Sequence, residues 1–77
     1  MDIEKEFKDI LQDYIEFPVS ELDTRLPLKY AAALNSFMLM KLVTDVEAHF
    51  QITIPTSDLS PQQSADDVLA YLKRRLS

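Results

Sequence analysis

Leu34-Asn35-Ser36-Phe37-Met38-Leu39-Met40-Lys41-Leu42-Val43-Thr44-Asp45-Val46-Glu47-Ala48-His49-Phe50 is the stretch on which the fold turns. At about 100° per residue, Leu39, Leu42, Val43, Val46 and Phe50 fall on one face, and Lys41, Thr44, Asp45 and Ala48 lie roughly opposite. The spacing predicts a helix over 36–50 with that apolar stripe turned to the core. Asn35 or Ser36 can cap its start. Phe37 lies on the polar side, Met38 and Met40 flank the stripe, and Ser36 and Met40, one turn apart, share a surface.

Upstream, Ile3, Phe7, Ile10, Leu11, Tyr14 and Ile15 recur at helical spacing, with Asp2 as the N-cap and Pro18 as the stop. Residues 17–35 then form a long connection containing Pro18 and Pro27. Leu22, Leu26 and Leu28 are expected to pin it to the core, and Tyr30-Ala31-Ala32-Ala33 to make a helical turn. Downstream, Gln51-Ile52-Thr53-Ile54-Pro55 reads as a short extended link that buries its isoleucines. Thr56 or Ser57 starts a short helical piece with Leu59 inward, limited by Pro61. Ser64 and Asp67 form a capping-box pattern ahead of Val68, Leu69, Leu72 and Leu76. The expected architecture is all-α, a single domain over 1–77: three main helices, one short helix and a long first loop.

Composition narrows the functions this architecture can serve. With 77 residues, 47% hydrophobic and 27% charged, the chain is globular and too small for a deep private pocket. It has no cysteine, which excludes disulfides, thiolate metal sites and a thiol nucleophile. A formal net charge of −5 repels phosphate backbones, so nucleic acid is not an expected partner. The first residues are charged, and no apolar run approaches the roughly 20 residues of a membrane span. A cytoplasmic monomer is the expectation. Lys73-Arg74-Arg75 fits a helix C-terminus, and Asp2, Glu4, Glu6, Asp66 and Asp67 fit first turns, as the helix dipole favours. Glycine is absent, so any turn needing positive φ must use another residue.

Catalysis finds no set of groups to carry it. His49 is the only histidine and has no ligand cluster around it in the sequence. Ser36 is different because it stands where a long loop meets the positive end of the central helix. Free N–H groups there suit a phosphate. The plainer alternative at the level of residues is that Asn35-Ser36 simply caps the helix. Phe37 either tucks under the loop or faces a partner, and an adaptable Met40 beside Ser36 suits a cleft or a partner surface.

The whole chain resembles an acyl carrier protein. Leu34-Asn35-Ser36-Phe37 falls where that family has its Asp-Ser-Leu signature. Leu42-Val43, Val46-Glu47 and Phe50, then Ile52-Thr53-Ile54-Pro55, look like its second helix and exit link, and the spacing from Ile54-Pro55 to Val68, Tyr71 and Leu72 fits its last two helices. The resemblance implies a non-catalytic carrier with a 4'-phosphopantetheine arm on Ser36, flanked by Asn35. A phosphopantetheinyl transferase adds the arm from coenzyme A, and its thiol holds an acyl or aminoacyl thioester. A loading ligase or synthase and downstream enzymes, of fatty acid or secondary-metabolite type, are the implied partners, met through Phe37, Met38, Met40 and Lys41. An unmodified carrier-like docking or scaffold protein is the alternative.

Several positions depart from the family pattern. Asn35 replaces the usual Asp and removes a negative charge beside the serine. Phe37 replaces Leu, which is similar to D-alanyl carrier proteins and some other specialised carriers. Ala33 and Gln51 stand where Gly is common. Met38 and Lys41 occupy commonly acidic positions, so Lys41, Asp45 and Glu47 leave the central helix a net of −1. These departures imply weaker docking to basic partner patches, stronger apolar contact and a dedicated partner in a specialised pathway.

Overall fold

The computed structural model describes residues 2–77. Among these residues four α-helices form: α1 over Ile3–Gln12, α2 over Leu28–Ala31, α3 over Ser36–Phe50 and α4 over Ala65–Leu76, with one 3₁₀ turn at Val19–Glu21. The all-α bundle expected from the sequence is the observed one. α1, α3 and α4 enclose the core through Phe7 and Leu11, Leu39, Leu42 and Val46, and Val68 and Leu72, all buried. Each helix supplies one apolar stripe, so the three close one dry core and leave their polar faces to water.

The helix starts are chemically specified. Asp2 accepts from the Lys5 N–H, and Asn35 from the Met38 N–H. Ser64 and Asp67 exchange side-chain and backbone hydrogen bonds in a complete capping box. The stop of α1 comes earlier than Pro18 alone would place it. Beyond Gln12 the chain tightens through Asp13 N–H to Ile10 and Tyr14 N–H to Leu11 carbonyl bonds, which swing Ile15 into the core. The Gln12 amide then bridges the Phe17 carbonyl and the Val19 N–H, at 2.9 and 2.7 Å, and fixes the loop to the end of α1.

Three expectations for the connections are corrected. Leu26 does not pin the long loop; it is 47% exposed. Leu22 and Leu28 take the core sites, and the chain between them runs as a surface turn closed by Leu26 N–H to Asp23. The helical turn in this loop begins at Leu28, ahead of Tyr30, because Pro27 supplies a fixed φ at its N-cap. No helix forms between Pro55 and Ser64, where the sequence and the family resemblance place a short one. Thr56, Ser57, Asp58 and Ser60 are residues whose side chains compete for backbone groups, and Pro61 removes a donor. The segment closes instead as single turns, Asp58 N–H to Pro55 and Gln63 N–H to Ser60, while Leu59 reaches the core as expected. The short helix therefore belongs to the first loop rather than to the exit link.

Long-range polar contacts hold these connections in place. The Leu28 and Lys29 N–H groups donate to the Gln63 and Pro61 carbonyls at 2.8 and 2.9 Å. Glu47 accepts from the Ile54 N–H at 2.7 Å, and Arg75 donates to the Thr53 carbonyl at 2.7 Å. Tyr71 donates to Asp58, also at 2.7 Å. His49 and Glu6 join α3 to α1 at 2.7 Å, which gives the lone histidine a structural role.

Candidate functional site

Ser36 is the first residue of α3 and is exposed. Its position is set by the residues before it. Leu28 and Leu34 are almost fully buried, and the Leu34 N–H donates to the Leu28 carbonyl at 3.2 Å. Between them Ala33 adopts φ 55°, a left-handed residue that turns the chain from α2 toward the start of α3. The helix ends in the same way, with Gln51 at φ 56° and ψ 48°. These are the two positions flagged as replacing glycine, and both need the positive φ that glycine adopts without strain.

Asn35, not Ser36, is the cap. Its side-chain oxygen accepts from the Met38 N–H at 2.8 Å, and its carbonyl accepts from the Leu39 N–H at 2.9 Å. This division leaves the Ser36 hydroxyl without a hydrogen-bond partner among the described residues, along with the Ser36 and Phe37 N–H groups. An exposed hydroxyl with free N–H groups of a helix start beside it fits attachment of a phosphodiester. The N–H groups and the helix dipole favour the negative charge there.

The other residues singled out from the sequence gather around it. Phe37 is 62% and Met40 55% exposed, so Phe37 does not tuck under the loop. The Lys41 ammonium lies over the Phe37 ring, 4.8 Å from its centroid. Ser36, Phe37, Met40, Lys41 and Thr44 line one shallow depression. Met38 is partly buried against the core instead. A second depression at Ser36 contains Lys29 and Gln62, which the linear sequence gave no reason to associate with the serine. Only the stapling of α2 onto the 61–63 segment brings them there.

Next to this surface, between α3 and the 54–59 link, lies a cavity of about 70 Å³ lined by Leu39, Met40, Val43, Ile54 and Leu59. A dry cavity of about 150 Å³ holds benzene, so this one is too small for a long alkyl chain as it stands. Leu42 and Val46 are buried in the core and do not line this cavity. Among the described residues no group of three His, Cys, Asp or Glu side chains could hold a metal ion, and no helix is long and apolar enough to cross a membrane.

Two α3 carboxylates are already engaged. Asp45 accepts from the Tyr14 hydroxyl, and Glu47 holds the exit link. Desolvation, with the Asp45 hydrogen bond and charge adding to it, pushes the Tyr14 phenol up to about 12. The Tyr71 phenol is raised too, first by desolvation and then by its bond to Asp58.

The helical bundle thus offers, at the start of α3, an exposed serine hydroxyl unpartnered among the described residues, a place where a group can be attached. The family model described as the phosphopantetheine attachment site matches residues 5–72, and the chain belongs to that family. Its prosthetic group is 4'-phosphopantetheine, and the protein is a carrier rather than an enzyme. No curated protein and no solved structure matches the chain.

Proposed function

We propose that the chain is a discrete acyl or aminoacyl carrier whose arm is joined to Ser36. The observation that carries the assignment is the division of labour at the start of α3: Asn35 caps the helix, and the adjacent Ser36 hydroxyl stays exposed and unpartnered. The arm supplies a thiol that holds cargo as a thioester, a chemistry that a cysteine-free chain lacks. The free N–H groups of Ser36 and Phe37 stand beside the phosphodiester. Phe37, Met40 and Lys41 are the surface that loading and downstream enzymes meet. The small cavity favours a short acyl or aminoacyl cargo, or one carried outside the bundle, over a long alkyl chain. We place the carrier in a specialised pathway, as a single domain over 1–77, acting as a cytoplasmic monomer.

Intact-mass measurement after incubation with coenzyme A and a transferase tests this. The wild type gains the mass of one arm and Ser36→Ala gains none. A wild type that gains nothing with several transferases, the native host's included, or a Ser36→Ala variant that still gains it, overturns the assignment. The first result leaves the unmodified docking protein as the reading.

A further inference from the structure

We infer that the surface around Ser36 is an aromatic and cationic docking face that fits an acidic partner enzyme. This rests on the carrier reading above and adds the chemistry of the partner. The stretch between Asp23 and Asp45 holds Arg25, Lys29 and Lys41 and not one carboxylate, in a chain whose formal net charge is −5. Folding concentrates this stretch around the serine. Lys29 lines one of the depressions that include Ser36, Lys41 lines the other, and no acid lines either. Among the described residues neither lysine pairs with a carboxylate. Each lies over an exposed aromatic ring instead: Lys29 over Tyr30 at 5.7 Å and Lys41 over Phe37 at 4.8 Å. Tyr30 is 69% exposed. It also borders a depression containing Glu16, so the face ends there.

Arg25 is tied to Asp23 and adds less. The remaining acids of α3, Asp45 and Glu47, lie farther along the helix and are hydrogen-bonded within the protein. An approaching surface therefore meets two unpaired ammonium groups and two rings, with Met40 between turns of α3. The complement is an enzyme surface with an apolar pocket for Phe37 and Met40 and carboxylates at its rim. Rings and lysines in alternation keep each other ordered through cation–π contact and lower the cost of fixing the side chains on docking. Charge complementarity then steers encounter and discriminates against the wrong enzymes. A transferase with a basic docking face meets like charge here despite the net acidity of the chain.

Arm transfer from coenzyme A onto the wild type, K29E/K41E and F37A, measured as kcat/KM over a salt series, tests this. Two enzymes are used: the native host's phosphopantetheinyl transferase and a broad-specificity one with a basic docking face. The substituted side chains are exposed, and melting curves confirm that each variant is folded. With the native transferase the double variant is expected to lose about tenfold in kcat/KM at low salt, with the gap closing near 1 M salt. F37A loses rate at all salt concentrations, and the basic-faced enzyme modifies the double variant faster than the wild type. A double variant modified by the native transferase as fast as the wild type, or faster, overturns the proposal while the carrier reading stands. No arm on the wild type with either enzyme overturns both. Lysine-dependent co-sedimentation with phosphatidylserine vesicles at physiological salt assigns the face to a lipid surface and overturns it too.

Discussion

Replacing Ala33 and Gln51 by glycine is expected to stabilise the protein, although neither change adds a contact. Both residues lie at positive φ, 55° and 56°, where a Cβ costs about 1–2 kcal/mol. Glycine removes that cost but gives the unfolded chain more freedom, which returns about 0.4–1 kcal/mol. The difference is a gain of roughly 0.5–1 kcal/mol at each site. The two positions flank α3, whose 15 residues separate them by about 22 Å at 1.5 Å per residue. At that distance the effects add, to about 1–2 kcal/mol for the pair. In a domain of this size each 1 kcal/mol moves Tm by about 4–8 °C, so calorimetry or a circular dichroism melt resolves even the single variants. Ala48→Gly, at an exposed position inside α3, is the control and should cost about 1 kcal/mol. A Tm that falls for Ala33→Gly or Gln51→Gly, as it does for the control, refutes the claim that these two backbones are strained. It would also remove the account of how the chain turns onto Asn35 and Ser36.

Two other outcomes follow from the same geometry. Asn35→Ala should lower stability by about 1 kcal/mol in denaturant titration, because the Met38 N–H loses its partner; Asn35→Asp keeps that bond and should gain about 0.3–1 kcal/mol from the helix dipole. Stability should also fall as pH rises from 10 toward 12. Tyr14 ionises at about 12 when folded against 10.0 for the free phenol, so the contribution is complete below 10 and lost through 12. Tyr14→Phe should flatten that limb in melts taken across the alkaline range.

The element that sequence reading placed best was α3. Of its stripe, Leu39, Leu42, Val46 and Phe50 are buried and Val43 is partly buried, and its span is Ser36–Phe50 as expected. Caps and stripes are local: Asp2, Ser64 and Asp67 act within three residues along the chain, so spacing alone exposes them, while it left Asn35 and Ser36 both open as caps of α3. The position of Ser36 at the head of α3 was legible for the same reason. The exit link was not. Leu59 was read inward correctly, but the helix around it was not formed: Thr56, Ser57, Asp58, Ser60 and Pro61 disfavour one, and the bond from Tyr71 to Asp58, thirteen residues apart, holds the turns that replace it. Leu26 failed likewise, since three leucines of equal hydropathy competed for two core sites and only packing chose between them.

The absence of glycine meant only that any positive-φ turn had to use another residue; the family resemblance pointed to Ala33 and Gln51, and the structure places both at positive φ. Apolar periodicity and capping chemistry likewise determined the helical class, the central helix and the serine at its head. Tertiary structure decided which cap did the capping, and so left the Ser36 hydroxyl free. It also decided what surrounds that hydroxyl. Lys29 and Gln62 reach the depression at Ser36 because backbone hydrogen bonds staple α2 to the segment before α4. Helical spacing acts over a turn or two and hydrogen bonds between distant segments do not, so the neighbours of Ser36 exist only once the chain has closed on itself.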